Sequence, residues 1–137
     1  MKKVLLIIGL CMVTSACTKA GVTMEEEVTK EVVEAVYENI TAEEAKKIMD
    51  TKEDYVILDV REKSEYDEGH IKGAILIPHD EIEKRAEEII PDKNTLLLVY
   101  CRSGRRSKIA SEALVELGYT NIREFGGIID WKYEVVK

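Results

Sequence analysis

The stretch Thr95–Tyr100 constrains this chain most. Leu96, Leu97, Leu98 and Val99 follow one another without a polar break, over the length of one strand. Such a continuous apolar run of that length reads as a strand. It ends at Cys101, and Arg102-Ser103-Gly104-Arg105-Arg106 follows at once. Ser107, Ile109, Ala110, Ala113, Leu114 and Leu117 then recur at helical spacing. The order is strand, tight loop, helix, with a cysteine at the strand's carboxyl end. In parallel α/β sheets, ligands bind at that edge. A loop entering a helix aims several backbone N–H groups at one point and adds the positive end of the helix dipole. A thiol there ionises readily: its ordinary pKa, near ~8.5, falls to about 3.5–7.5 beside helix N-termini and cations.

The rest of the chain repeats the strand-helix alternation. Tyr37–Ile40 reads as a short first strand. Thr41 with Glu44 forms a capping box, opening a helix with Ala42, Ala45, Ile48 and Met49 inward. Tyr55–Val60 is a second strand, running into Asp59 and Arg61. Lys63–Glu68 is one polar helical turn stopped by Gly69. Ala74–Ile77 is a further strand closed by Pro78. His79 or Asp80 is positioned to cap a helix burying Ile82, Ala86, Ile89 and Ile90, and Pro91–Asn94 is a turn. After the helix from about Arg105 to Leu117, Gly118 is its C′ residue. Asn121–Phe125 is the last strand, and Gly126-Gly127 leads into a final helical turn carrying Trp131. Alternating strands and helices imply an α/β domain with a parallel sheet flanked by helices on both faces.

The 137 residues suggest one domain, and 45% hydrophobic content is enough for a core. A net charge of −7 argues against nucleic acid as partner. Against that acidity the three loop arginines, Arg102, Arg105 and Arg106, stand out as a local anion site. No His, Cys, Asp and Glu cluster has metal-ligand spacing, so no metal and no cofactor is expected.

Residues 1–17 read as an export signal: Lys2 and Lys3, then an apolar segment, Val4–Val13, of about ten residues, too short to span a bilayer well. Thr14-Ser15-Ala16-Cys17 resembles the lipobox of bacterial lipoproteins, with Thr14 where Leu is usual. The resemblance implies lipidation of Cys17 and an exported protein held at the cell envelope by its anchor. Cys11 would leave with the signal, and Cys101 would then be the only free thiol, unable to form an internal disulfide. Loss of Lys2 and Lys3 takes the charge to −9. Residues 18–36 read as a tether, with Val28, Val32, Ala35 and Val36 on one helical face.

Four stretches resemble the rhodanese-like sulfurtransferases: Asp59-Val60-Arg61-Glu62 with Glu65-Tyr66; Gly69-His70-Ile71-Lys72-Gly73-Ala74 to Ile77-Pro78; the loop Cys101–Ser107; and Gly118-Tyr119 with Phe125-Gly126-Gly127 and Trp131. They span residues 37–137. Lys72 departs from a frequent Pro, at a turn. The resemblance implies a central five-stranded parallel sheet and a cysteine that carries sulfane sulfur as a persulfide, from an anionic donor such as thiosulfate or a persulfide to a thiophilic acceptor. On this chain Cys101 would be the nucleophile. Arg102, Ser103, Gly104, Arg105 and Arg106 would bind substrate, with Arg106 and Ser107 closing the motif and fixing the loop. The expected protein is a monomer.

Other readings stand beside this one. An isolated cysteine is more often buried in a core, but the arginines after Cys101 argue against burial. His70 and His79 read as structural, Asp59 as the ion-pair partner of Arg61 or of a loop arginine, and Trp131 as a core anchor. A cysteine phosphatase or arsenate reductase would use the same sheet-end thiol. Phosphatases carry Arg six residues after the cysteine, however, where this chain has Ser107, with Arg106 at five. The shorter loop suits one sulfur atom better than phosphate. A third reading, a non-catalytic envelope binding module, does not explain an intact Cys101.

Overall fold

Five strands, all paired in parallel, lie in the order β1-β5-β4-β2-β3 in a computed structural model that describes residues 37–137. The strands are β1 (Tyr37–Asn39), β2 (Tyr55–Asp59), β3 (Ile75–Leu76), β4 (Leu96–Cys101) and β5 (Ile122–Gly127). The helices are α1 (Ala42–Thr51), α2 (Lys63–Glu68), α3 (Ile82–Ile89) and α4 (Arg105–Glu116). The proposed signal, Cys17 and the tether fall outside the described residues.

The five-stranded parallel sheet expected from the sequence is present, and β4 is its central strand. All six β4 residues are buried. Leu97, Val99 and Cys101 join a core with Ile82 and Ala86 of α3 and Ala110 and Leu114 of α4. Leu96, Leu98 and Tyr100 point the other way, to Ala42 and Ala45 of α1, Phe125 and Trp131. This is the period-two alternation of a strand with both faces covered. Trp131 is 9% exposed and packs its ring near Phe125, as a core anchor should. At the start of α1, Thr41 Oγ1 accepts from the Glu44 N–H at 3.1 Å and Glu44 Oε2 accepts from the Thr41 N–H at 2.8 Å. These bonds satisfy two orphan donors reciprocally.

Four local expectations need correction. The strand expected over Ala74–Ile77 shortens to Ile75–Leu76, because the Ala74 N–H closes a turn on the Ile71 carbonyl. Neither His79 nor Asp80 caps α3 with its side chain; a single 3₁₀ turn, His79–Glu81, leads into it from Pro78. Ile109 is 42% exposed, since α4 turns Ser107, Ala110, Ser111 and Leu114 to the sheet instead. Gly126 and Gly127 do not leave the sheet but extend β5, where Gly127 pairs with Cys101 beyond a register shift between Val99 and Cys101. That pairing brings β5 against the loop after β4.

Candidate active site

Cys101 ends β4, and Gly104, whose φ of +109° suits glycine, turns the chain into α4. The Gly104 N–H points at Cys101 Sγ from 2.9 Å. Ser107, in the first turn of α4, places its Oγ 3.5 Å from the same sulfur. Cys101 is 1% exposed. The expectation that the arginines would keep it out of the interior is therefore wrong: the sulfur is buried at the base of the loop, while Arg102 and Arg105 are exposed. Burial pushes the thiol pKa up. The Ser107 hydroxyl and the N–H groups of Ser107, Gly104 and Ser103 more than offset this, so the thiol sits below its ordinary range.

The three arginines divide into two roles. Arg102 and Arg105 are exposed, and neither forms an ion pair among the described residues. Arg106 turns both terminal nitrogens to Glu65, at 2.7 and 2.9 Å. Its guanidinium is engaged by a carboxylate, which ties the loop to α2. The pair holds the Glu65 carboxyl at about 2: the bond from Arg106 lowers it, burial opposes, and the Glu62 N–H adds to the lowering. Ser103 is exposed at the loop tip and Gly104 is buried beneath it.

Beneath the loop runs a buried polar network. Asp59 and Arg61 pair through three contacts of 2.6–3.2 Å, as the sequence suggested. Tyr100 donates to Asp59 Oδ2 at 2.7 Å and accepts from the Ile71 N–H at 3.1 Å, while Arg61 reaches the Gly69 carbonyl at 2.8 Å. The network ties β2, β4 and the Gly69–Ala74 turn together. His70 stacks on Tyr66 at 3.7 Å between ring centroids, a structural placement. His79 comes within 4.8 Å of Glu62 and Asp80 through their ligand atoms, a grouping hidden by its sequence separation. Glu62 and Asp80 are exposed, and acidic groups gathered at a surface do not by themselves make a metal site.

Two residues of β5 complete the site, and of these the sequence reading passed over Glu124. Glu124, on β5, is 2% exposed; its Oε1 accepts from Ser107 Oγ at 2.5 Å and from the Gly126 N–H at 2.9 Å. Gly127 lies so close to the loop that a Cβ built on it would fall 1.9 Å from the Arg102 carbonyl oxygen. The only sequence signal for Glu124 was its place just before the Gly126-Gly127 pair.

Fold and loop together define a class: an open parallel α/β domain presenting one activated thiol in a collar of main-chain donors. Residues 41–134 match the family described as "Rhodanese-like domain". The thiosulfate sulfurtransferase PspE of Escherichia coli is 42% identical over 80 residues, covering 58% of this chain and 77% of that protein. The thiosulfate sulfurtransferase GlpE of Coxiella burnetii is 34% identical over 98 residues, 71% of this chain and 89% of its own length. A solved structure titled "rhodanese with anions from E. coli" superposes with a TM-score of 0.58 at 41% identity, covering 61% of this chain and 98% of that one. The chain belongs to the rhodanese-like domain family, and it is a rhodanese-type sulfurtransferase.

Proposed function

We propose that Cys101 accepts a sulfane sulfur from thiosulfate or a persulfide and hands it to a thiophilic acceptor, cyanide or a thiol. The observation that carries this reading is the Gly104 N–H, 2.9 Å from Cys101 Sγ, in a loop whose Arg102 and Arg105 are exposed. The thiolate attacks the outer sulfur of thiosulfate, a new S–S bond forms, and the old one breaks with its electron pair leaving on sulfite. Cys101 then bears a terminal anionic sulfur. The N–H groups of Ser103, Gly104 and Ser107 are placed to receive that charge; one preorganised donor of this kind is worth about 2.7–4 kcal/mol in a protease oxyanion hole. Attack by cyanide on the terminal sulfur releases thiocyanate and returns the thiolate, so charge balances in both halves. Arg102 and Arg105 draw in the anionic donor, and no metal or cofactor enters a step.

Incubating the protein with thiosulfate and weighing it by mass spectrometry tests this. One added sulfur atom on Cys101, lost on addition of cyanide as thiocyanate appears, is the expected result. Full activity of Cys101→Ser would overturn it, and turnover of an aryl phosphate would favour the phosphatase chemistry instead. We further propose that the protein is exported and lipid-anchored through Cys17. The support is the Lys2-Lys3 start, the apolar segment and Ser15-Ala16-Cys17. Incorporation of a labelled lipid precursor should be lost in Cys17→Ala, and equal labelling of both would refute the anchor.

A further inference from the structure

Glu124 is a buried carboxylate that the sulfur-transfer steps do not use. It pairs with no basic side chain among the described residues. Among the described residues its one side-chain hydrogen bond is from Ser107, and Ser107 touches the nucleophile. The distances run 3.5 Å from Cys101 Sγ to Ser107 Oγ and 2.5 Å from there to Glu124 Oε1.

Ser107 has one hydroxyl proton and several acceptors in reach: Glu124, the carbonyls of Gly104 at 2.9 Å and Gly126 at 3.3 Å, and the sulfur. With Glu124 ionised, the nearest and only charged oxygen takes it, and the Cys101 S–H donates to Ser107. For Ser107 to donate to a thiolate instead, it must give up its bond to Glu124. We propose that Cys101 and Glu124 hold one proton in common through the Ser107 hydroxyl, making Glu124 the positioning residue that sets how Cys101 ionises. Cys101 passes its proton to Ser107 Oγ as Ser107 passes its own to Glu124 Oε1. The negative charge moves from carboxylate to sulfur, and the site as a whole keeps one charge. A buried carboxylate this near a second anion would otherwise oppose the thiolate.

The surroundings suit this exchange. From β1, Tyr37 faces Glu124; its phenol is raised by burial first, then by Glu112 and Glu124. Cys101 faces it from β4. Glu124 also lines an open cleft of about 510 Å³, together with Ser103 and Gly104 of the loop, Lys108 of α4, Glu43 of α1 and Lys132.

This inference rests on Cys101 being the nucleophile. Its test needs no sulfur donor, so it can fail while the transfer assay succeeds. Thiolate absorbance is followed against pH for the chain with Cys11→Ser and Cys17→Ser, otherwise unaltered, and for Glu124→Gln on that background, so that Cys101 is the one thiol read. Groups coupled by more than about one pH unit titrate as a pair. The chain with Glu124 intact should therefore show two thiolate steps, and Glu124→Gln a single step below the upper one, since the opposing charge is gone. If Glu124 served only to hold the loop, its loss would loosen the N–H collar and move the thiol upward. Superposed curves, or an upward shift, overturn the proposal. An infrared titration of the unaltered chain gives a second reading that does not depend on a variant folding. The buried carboxyl C=O band should disappear at the same midpoint at which the last of the thiolate forms. A carboxylate fully ionised before any thiolate appears would overturn the proposal as well.

Discussion

Replacing Gly127 with alanine should damage this enzyme far more than one methyl group suggests. Built on the existing backbone, the new Cβ would sit 1.9 Å from the Arg102 carbonyl oxygen, 2.4 Å from its carbon and 2.6 Å from Ser103 Cα. All three are backbone atoms of the loop, so no side chain can swing away. Restoring ordinary contact of about 3.4 Å requires a movement of roughly 1.5 Å, shared between β5 and the loop. Forcing a group into a packed site costs about 1–3 kcal/mol. For a domain of this size that is a fall in Tm of roughly 4–20 °C. The catalytic loss should be larger in proportion, because Ser103 and Gly104 carry N–H groups that surround the sulfur. A misplacement of about 1 Å can cost 100-fold in rate. Persulfide formation by stopped-flow and a thermal melt measure the two effects separately. Gly69→Ala is the control: its nearest neighbour to a built Cβ is a Val135 methyl carbon at 3.7 Å, and it should behave as the parent does. A Gly127→Ala protein with parental rate and Tm would refute the claim that β5 abuts and shapes the loop.

Removing Arg102 or Arg105 should raise KM for an anionic donor more than it lowers kcat, and the parent's KM should rise with ionic strength, since both charges are exposed and screened by salt; steady-state kinetics across a salt series checks this. Glu65 is held at about 2 when folded, against an ordinary 4.5, so its contribution is complete above pH ~4.5 and is lost as pH falls toward 2. The loss is at most about 3 kcal/mol, reduced by solvent at a partly exposed pair, and should be absent from acid denaturation of Glu65→Gln. Arg61→Met strands the fully buried Asp59 charge and should cost about 3–5 kcal/mol in a denaturant melt.

The parallel sheet was legible because a strand buried on both faces must be apolar throughout, as Leu96–Val99 is, and because Thr41 and Glu44 carry their capping signal within one turn. The nucleophile was legible because Cys101, Gly104 and the arginines are contiguous. Contiguity could not reveal partners brought in from other strands. Glu124 lies 17 positions from Ser107 and meets it only because β5 pairs beside β4. Arg106 reaches Glu65 across 41 positions and braces the loop against α2. Gly126-Gly127 carries the signature of a turn, yet it stays in the sheet, where Gly127 pairs with Cys101 and lies too close to the loop backbone for any side chain. Local chemistry, hydrophobic period and chain order therefore determined the fold class and the position of the thiol. The burial of that thiol, the division of labour among its arginines and the carboxylate behind its serine were decided by which strands lie side by side.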